Sequence, residues 1–136
     1  MLQKLPVSQS DFNFLRTKNY LYIDKTNYIY QMLTSGNQYY FLARPRRFGK
    51  SLLVSTLQEA LIGNQALFTG LAIANSDYDW QPHGIIKFDL STLGIRDENS
   101  LRMGICTRLT EIIDQHALKI TLDFSNPSIA LSKVVQ

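Results

Sequence analysis

The residues with the clearest capacity for chemistry lie between positions 44 and 51, where the sequence reads Arg-Pro-Arg-Arg-Phe-Gly-Lys-Ser. An apolar run, residues 39–43, precedes this segment, and a leucine-rich segment begins at Leu52. A strand, a turn ending in Gly-Lys-Ser and then a helix form the usual layout of a loop that binds nucleotide phosphates. The segment departs from the common Gly-x4-Gly-Lys-Ser/Thr pattern, because Arg44 occupies the first glycine position.

Each residue type in this loop has a definite use if the loop binds a nucleoside triphosphate. Lys50 would reach the β- and γ-phosphates, Ser51 would place its hydroxyl on Mg²⁺, and Gly49 would let the backbone approach the phosphates closely. Because Pro45 lacks an N–H group, the phosphate cradle must come mainly from residues 46–52. The predicted nucleotide-binding residues are therefore Arg46, Arg47, Phe48, Gly49, Lys50, Ser51 and Leu52.

The three arginines of the loop, Arg44, Arg46 and Arg47, allow several interpretations. Guanidinium groups suit bidentate phosphate contact, but these side chains could also serve a partner chain, nucleic acid or structural ion pairs. Arg46 and Arg47 cannot both point into the site if the loop is extended. The alternative for the whole segment is a solvated basic turn that happens to contain Gly-Lys-Ser.

Two carboxylates outside the loop are further candidates with less specific motifs. Asp24, in the segment Asp24-Lys25-Thr26, could lie near the nucleotide base or ribose, but we favour its use as a cap for the following helix. Asp89 could approach Mg²⁺ from the end of an apolar segment. Lys87 interrupts that apolar pattern, so we favour a structural role for Asp89 at the end of a strand.

The elements that must position these residues follow from hydrophobic periodicity. Short apolar runs predict strands at 20–23, 38–43 and 84–90, and 3.6-residue periodicity predicts helices at about 24–33 and 50–62. A strand, a helix and a second strand in this order predict a βαβ unit with a right-handed crossover. We therefore predict an α/β fold, a P-loop NTPase-like three-layer sandwich with a parallel sheet.

The two ends of the chain are predicted to be helical or loosely organised. Residues 1–19 are expected to form an arm that docks Phe12 and Leu15 onto the body. Asp97 or Asn99 is expected to cap a long helix to about residue 117, and Ser125 a last helix. The predicted organisation is thus a docking arm (1–19), a strand-helix core (20–92) and a helical segment (93–136).

Composition limits the class of protein. The chain has 136 residues and a net charge of +3, an excess smaller than the four cations of the loop alone. The single cysteine, Cys106, excludes an intrachain disulfide, and His83 and His116 lack the spacing of a zinc site. No apolar run reaches the length of a transmembrane helix, and the N-terminus lacks a signal-peptide core. We expect a globular protein of the cytoplasm with no membrane partner.

Beyond these patterns, the chain resembles a bacterial and archaeal AAA-ATPase-like family whose members often carry a restriction-endonuclease-like nuclease domain. The segments that carry the resemblance are Asp11-Phe12 with Leu15-Arg16, Tyr22-Ile23-Asp24-Lys25-Thr26, Arg44-Pro45-Arg46-Arg47-Phe48-Gly49-Lys50-Ser51, Leu67-Phe68-x-Gly70-Leu71, and Asp79-Trp80 leading to Asp89. The family's loop has the same eight residues, so Arg44 agrees with membership. The resemblance implies a variant Walker A loop that binds ATP and Mg²⁺.

The resemblance also implies what this chain lacks. In the family, a strand ending in Asp-Glu, the Walker B element, follows a helix like that of residues 127–135, and the nuclease domain follows later. We therefore expect the N-terminal part of a larger domain, with ATP binding but little or no hydrolysis by this chain alone. Contact with nucleic acid would be made through the absent domain, and the oligomeric state stays open.

Two alternatives to nucleotide binding remain at this point. One is a non-enzymatic module that binds nucleic acid or a protein partner through the basic loop, although the sequence has no separate basic stripe with interleaved aromatic residues. The other is a P-loop kinase for a small molecule, although nothing in the sequence resembles an acceptor site or a lid.

Overall fold

The computed structural model describes residues 3–92 and 94–115, and the chain divides into two compact units, Met1–Ile85 and Ile86–Gln136. The first unit contains helices α1 (Phe12–Thr17), α2 (Thr26–Thr34) and α3 (Lys50–Leu61), and two 3₁₀ helices, Gln65–Phe68 and Ala72–Asn75. The second unit contains α4 (Glu98–Gln115). The predicted organisation into 1–19, 20–92 and 93–136 stays a prediction.

The predicted α/β sandwich with a parallel sheet is wrong, because the described residues form helices and no β-strand. Among them, Lys4 and Tyr20 form an isolated parallel bridge without a continuing ladder. Residues 38–43 make no backbone–backbone hydrogen bond to any other described residue, and Tyr39 and Phe41 are 88% and 94% exposed. A strand exists only through hydrogen bonds to a neighbouring strand, so an apolar run without a partner stays an extended segment.

The three helices predicted at about 24–33, 50–62 and 97–117 are present, and side-chain hydrogen bonds explain where the first and the third of them begin. The Asp24 carboxylate accepts a hydrogen bond from the Thr26 N–H at the start of α2 (2.8 Å). Before α4, the Asp97 carboxylate accepts from the Ser100 N–H (2.7 Å), while the Ser100 hydroxyl accepts from the Asp97 N–H (2.9 Å). This reciprocal pair satisfies two donors at the helix start. The predicted last helix, capped by Ser125, lies outside the described residues.

Helix α1 lies within the segment that was predicted to be an arm. Asp11 caps it by accepting a hydrogen bond from the Phe14 N–H (2.7 Å). Phe12 and Leu15 are 0% and 1% exposed. On the same helix, the Arg16 guanidinium donates to the carbonyl oxygens of Leu67 (2.7 Å) and Thr69 (2.6 Å). These two bonds attach α1 to the first 3₁₀ helix and the turn that follows it.

The core of the first unit is built around a chain of aromatic rings. The Phe12 ring lies 5.0 Å from that of Tyr22 and 4.8 Å from that of Phe68. The Trp80 ring continues the chain, 4.9 Å from Phe68 and 5.0 Å from Tyr78. Tilted and edge-to-face contacts at these centroid distances are the favourable arrangements for aromatic pairs. Helices α1, α2 and α3 therefore pack on a shared apolar centre that also includes Ile29, Ala60, Leu71 and Ile73.

The second unit is organised by one face of α4. Cys106, Leu109, Ile112 and Ile113 are each 6% exposed or less, and they recur at the three- and four-residue spacing of a single helix face. Two ion pairs lie on the helix surface, Glu98–Arg102 (3.2 Å) and Arg108–Glu111 (2.6 Å). Within the described residues, none of the helices has the length and apolar character needed to span a membrane.

Candidate functional site

The basic loop ends at the start of α3, and this helix start has no side-chain cap. Gly49 is the residue before the helix, with a left-handed backbone (φ 76°, ψ 14°) that favours glycine. The first N–H groups of any helix have no carbonyl one turn earlier to bind. The N–H groups of Lys50, Ser51 and Leu52 therefore point away from the helix end, where the helix dipole also favours an anion.

The sign of the φ angle alternates over four residues of the loop, 46–49. Arg47 and Gly49 have positive φ angles, 65° and 76°. The residue before each of them, Arg46 and Phe48, has a negative φ angle. In the concave arrangement of N–H groups called a nest, which binds anions, the backbone alternates in hand, and the signs of φ at Arg47 and Gly49 agree with that pattern. A positive φ is uncommon at a residue other than glycine, so its occurrence at Arg47 is a specific feature of this loop.

Lys50 holds the loop against the helix start. Its ammonium donates hydrogen bonds to the carbonyl oxygens of Arg44 and Pro45, both at 2.7 Å. These two contacts bring the beginning and the end of the loop together around one positive charge. A phosphate bound here would compete with the two carbonyls for the ammonium, and charge-assisted bonds to phosphate are the stronger kind.

The arginines of the loop have no acidic partner in the described part of the chain. Arg44, Arg46 and Arg47 are exposed, and both ion pairs found among the described residues lie on α4. Of the alternatives weighed for these side chains, structural ion pairing therefore finds no support among the described residues. The loop instead concentrates positive charge that no carboxylate of the described residues neutralises.

Ser51 is placed to contribute one oxygen ligand to a cation. Its side chain is exposed in the first turn of α3, and its hydroxyl makes no hydrogen bond within the described residues. The described residues contain no group of three or more His, Cys, Asp or Glu side chains that could hold a metal by themselves. The Ser51 hydroxyl can therefore bind Mg²⁺ only as one ligand among several. Phosphate oxygens and water would supply the other ligands, which is how this ion is commonly bound.

Asp24 joins α2 to the second 3₁₀ helix. One carboxylate oxygen accepts from the N–H and hydroxyl of Thr26 (2.8 and 2.7 Å), and the other from the N–H of Ala72 (2.7 Å). The buried Thr26 hydroxyl in turn accepts from the Ile73 N–H (3.1 Å). Partial burial alone would raise the pKa of Asp24, but these bonds and the charge of Arg16 outweigh it and hold the pKa below the usual value.

Asp89 belongs to the second unit and accepts hydrogen bonds from its own turn. The Ser91 N–H donates to its carboxylate (3.0 Å), as does the Ser91 hydroxyl, and these bonds lower the pKa of Asp89. Such bonds between an aspartate and the residue two positions later define an Asx turn. A role for Asp89 or Asp24 at the nucleotide stays a prediction.

A cavity of about 730 Å³ opens beside the loop in the first unit. Its walls come from three regions: the N-terminal segment, one face of α2, and the loop with the start of α3. Tyr22 lies in this wall, and burial raises the pKa of its hydroxyl. Sequence reasoning did not identify this wall, although Lys25, immediately before α2, and Tyr28 and Met32 on α2 are spaced three and four residues apart.

Comparison with known proteins identifies the family of the chain. The family model described as "Predicted AAA-ATPase" matches residues 6–136. The chain is also 39% identical, over 120 residues, to an "Uncharacterized protein in vnfD 5'region" of Azotobacter chroococcum mcd 1. That match covers 87% of this chain and 22% of the relative. No solved structure matches the chain significantly. The chain therefore belongs to the predicted AAA-ATPase family.

Proposed function

We propose that the chain binds ATP together with Mg²⁺ through the loop of residues 44–51, as a variant Walker A element. The observation that carries the proposal is a set of cations without acidic partners at an uncapped helix start. Arg44, Arg46 and Arg47 are unpaired within the described residues, and Lys50 contacts only neutral carbonyls with its ammonium. A triphosphate supplies the negative charge that this arrangement lacks.

In this proposal the loop residues divide the work. The N–H groups of residues 46–52 surround the phosphates, and Lys50 leaves the Arg44 and Pro45 carbonyls to bind the β- and γ-phosphates. The Ser51 hydroxyl supplies the protein's ligand to Mg²⁺, which would neutralise phosphate charge when bound. The family's description supports nucleotide binding in general. The identity of the nucleotide as ATP and the residue roles are our proposal.

In this proposal, the residues that carry out ATP hydrolysis lie outside the loop. The chain spans 22% of the length of the relative from Azotobacter chroococcum. The residues of this chain therefore do not account for the activity of a whole protein of this kind, including any nuclease function. We propose that this chain contributes the phosphate-binding part of an ATPase.

The test is a calorimetric titration of Mg²⁺–ATP into the chain and into its Lys50→Ala variant. The variant should bind about 10- to 100-fold more weakly, the equivalent of one charge-assisted hydrogen bond. Lys18→Ala is the matched control, since Lys18 is an exposed lysine at the end of α1 whose ammonium makes no hydrogen bond within the described residues. Unchanged unfolding temperatures would show that both variants are folded. Equal affinity of the chain and the Lys50→Ala variant, or no binding by either, would refute the proposal.

The unpaired arginines also favour a second candidate, binding of nucleic acid backbone phosphates. Four contacts to duplex DNA would give a plot of log affinity against log salt with a slope of roughly −3.6. Lys50→Ala would then reduce this slope by about one unit and leave most of the affinity in place. Under the ATP proposal the same substitution removes most nucleotide binding, so one variant distinguishes the two functions.

A further inference from the structure

We propose that residues 38–43 form an interface between two copies of the chain, in which the two segments pair as antiparallel β-strands. Within one copy, the segment lies outside the helices and makes no backbone–backbone hydrogen bond to any other described residue. An extended segment with unpaired N–H and C=O groups can accept a strand from another molecule. The inference goes beyond the proposed nucleotide binding and is independent of it, because none of the contacts involves a phosphate.

The exposure of the side chains alternates along the segment, as expected for a strand with one covered face. Tyr39 and Phe41 are 88% and 94% exposed, whereas Tyr40 and Leu42 are 48% and 44% exposed. The Tyr40 hydroxyl donates to the Met32 carbonyl oxygen in the last turn of α2 (2.8 Å), and Leu42 lines the cavity beside the loop. The first unit thus covers one face of the segment in part and leaves two aromatic rings uncovered on the other.

The composition of the segment favours a second copy as the partner. Residues 36–43 contain no charged residue and no proline, which are the devices that commonly protect an exposed strand edge from pairing. Tyrosine and phenylalanine are also favourable residues in strands. A short, uncharged segment of this composition is of the kind that pairs with an identical segment of another chain.

Register is the second argument for pairing between identical segments. A two-fold axis relates the two copies of such an interface, so the same residues meet from both sides. When Tyr40 lies opposite Tyr40 of the second copy, Tyr39 of each copy lies opposite Phe41 of the other. Aromatic side chains directly opposite each other form favourable cross-strand pairs. This register therefore joins all four exposed rings into two aromatic pairs.

Electrostatic repulsion favours the antiparallel direction. The basic loop begins at Arg44, directly after the segment, so parallel pairing would place the loops of the two copies side by side. In the antiparallel register Arg44 lies opposite Gly36 of the other copy, and the two Arg44 residues are eight positions apart along the strands. That spacing corresponds to about 27 Å at ~3.4 Å per residue. Charges at this distance are largely screened, because the Debye length at physiological salt is about 8 Å.

The small area of the interface predicts a weak association. Four aromatic rings that bury roughly 150–250 Å² each would contribute at most about 600–1,000 Å² in total. Stable protein–protein interfaces bury ~1,200–2,000 Å². We therefore expect dimers that form at high protein concentration and dissociate on dilution.

The test follows the mass of the whole 136-residue chain by sedimentation equilibrium over a range of concentrations. Tyr39→Lys places a charge opposite Phe41 of the second copy, and Phe41→Glu places a charge opposite Tyr39. Val7→Lys is the matched control, because Val7 is an apolar residue outside the segment that is 80% exposed. Unchanged circular dichroism and unfolding temperature would show that all three variants are folded.

We expect the mass of the chain to rise toward that of two copies as the concentration increases. Each segment variant should weaken dimerisation by roughly 5- to 30-fold, because both aromatic pairs are lost. An equimolar mixture of Tyr39→Lys and Phe41→Glu should recover dimerisation, because the introduced ammonium faces the introduced carboxylate while the other pair stays aromatic. Val7→Lys should dimerise like the original chain.

Three results would overturn the inference. A chain that stays monomeric up to millimolar concentration would show that the segment does not pair with itself. In that case, protection of the amides of residues 38–43 from hydrogen exchange in a longer protein of the family would assign their partner to that protein. Dimerisation that both segment variants leave unchanged would assign the interface to another surface. Dimerisation that each variant weakens, without recovery in the mixture, would exclude the antiparallel register.

Discussion

At the scale of single residues, Lys50 and Asp24 show how charged groups divide between ligand and fold. The Lys50 ammonium rests on two neutral carbonyls that a phosphate could displace, so its present contacts are compatible with a change of partner. The Asp24 carboxylate instead accepts hydrogen bonds on both oxygens, from Thr26 and from Ala72. Lys50 is therefore suited to binding, whereas the observed contacts of Asp24 stabilise the fold.

Replacing Asp24 by asparagine should destabilise the first unit in a way that depends on pH. The amide would point a donor at the Thr26 or Ala72 N–H, which we expect to lower the free energy of unfolding by about 1–2 kcal/mol near pH 7. The pKa of Asp24 in the folded chain lies below its ordinary value of 3.8. The carboxylate's contribution is therefore complete above that value and is lost as the pH falls through the folded pKa.

The measurement is urea unfolding of the chain and of Asp24→Asn between pH 3 and pH 7. The difference between the two should be constant from neutral pH to about pH 5 and should shrink below about pH 4. Asp114→Asn is the control, since Asp114 is exposed on α4 and has no hydrogen-bond or ion-pair partner within the described residues. A difference that grows on acidification would contradict the assigned contacts.

At the scale of elements, the end of α3 depends on a close approach between two backbone segments. Gly63 follows the helix with a φ of 78°, and a Cβ added there would lie 2.5 Å from the Trp80 carbonyl oxygen. The next residues of that segment bond to the same helix end, with the His83 N–H donating to the Leu61 carbonyl (2.7 Å). A side chain at position 63 would separate these segments.

Gly63→Ala should therefore cost more stability than a glycine substitution in open space. We expect a loss of about 2–4 kcal/mol, from the left-handed backbone together with displacement of the Trp80 backbone. Gly36→Ala serves as the matched comparison, because Gly36 has a similar φ of 72° with nothing within 4 Å of the added Cβ. Its loss should be about 1 kcal/mol. Thermal unfolding of both variants checks the prediction, which equal losses would contradict.

The three longest helices were predicted correctly from sequence, whereas α1 was not predicted and the parallel sheet was predicted wrongly, for a physical reason that particular residues illustrate. The start of α4 follows from Asp97 and Ser100, which bond within three residues of each other. A strand at 38–43 requires a partner that the apolar run itself cannot specify, and its residues have none in the described part of the chain. The Asp24–Ala72 contact joins residues 48 positions apart, so local sequence suggested a cap and could not indicate the second bond.

The candidate site shows the same division. The loop is one continuous segment with a recognisable order of residues, so all of its proposed ligand contacts were named from sequence. The cavity combines Leu21, Tyr28 and Phe48 from three separate segments, and only the tertiary fold brings them to one wall. The helical spacing of Lys25 and Tyr28 was the available signal, and it equally fits an ordinary solvated helix face.

At the scale of the whole molecule, the carboxylates of the first unit are already engaged in the fold. Its five acidic residues each accept a hydrogen bond within the unit, and none of them lines the cavity. They are Asp11, Asp24, Glu59, Asp77 and Asp79. Hydrolysis of a nucleoside triphosphate requires a group that orients the attacking water. The described first unit offers phosphate binding without an evident free carboxylate for that step.

We therefore expect the 136-residue chain to bind Mg²⁺–ATP without turning it over. Phosphate release should equal that of the Lys50→Ala variant, measured under conditions in which calorimetry shows the chain to be saturated. A longer protein of this family, assayed in parallel, is the positive control. Sustained turnover by the 136-residue chain that disappears in Lys50→Ala would contradict the expectation and would assign the water-orienting group to this chain.

The aromatic chain in the core gives the first unit an optical property of its own. Trp80 is the single tryptophan of the protein, and its indole lies against Phe68 and Tyr78. Its fluorescence emission should shift to longer wavelength when water reaches this cluster, whereas far-ultraviolet circular dichroism sums the helices of both units. Comparing the two signals during denaturation would follow the first unit separately from α4, without an added label.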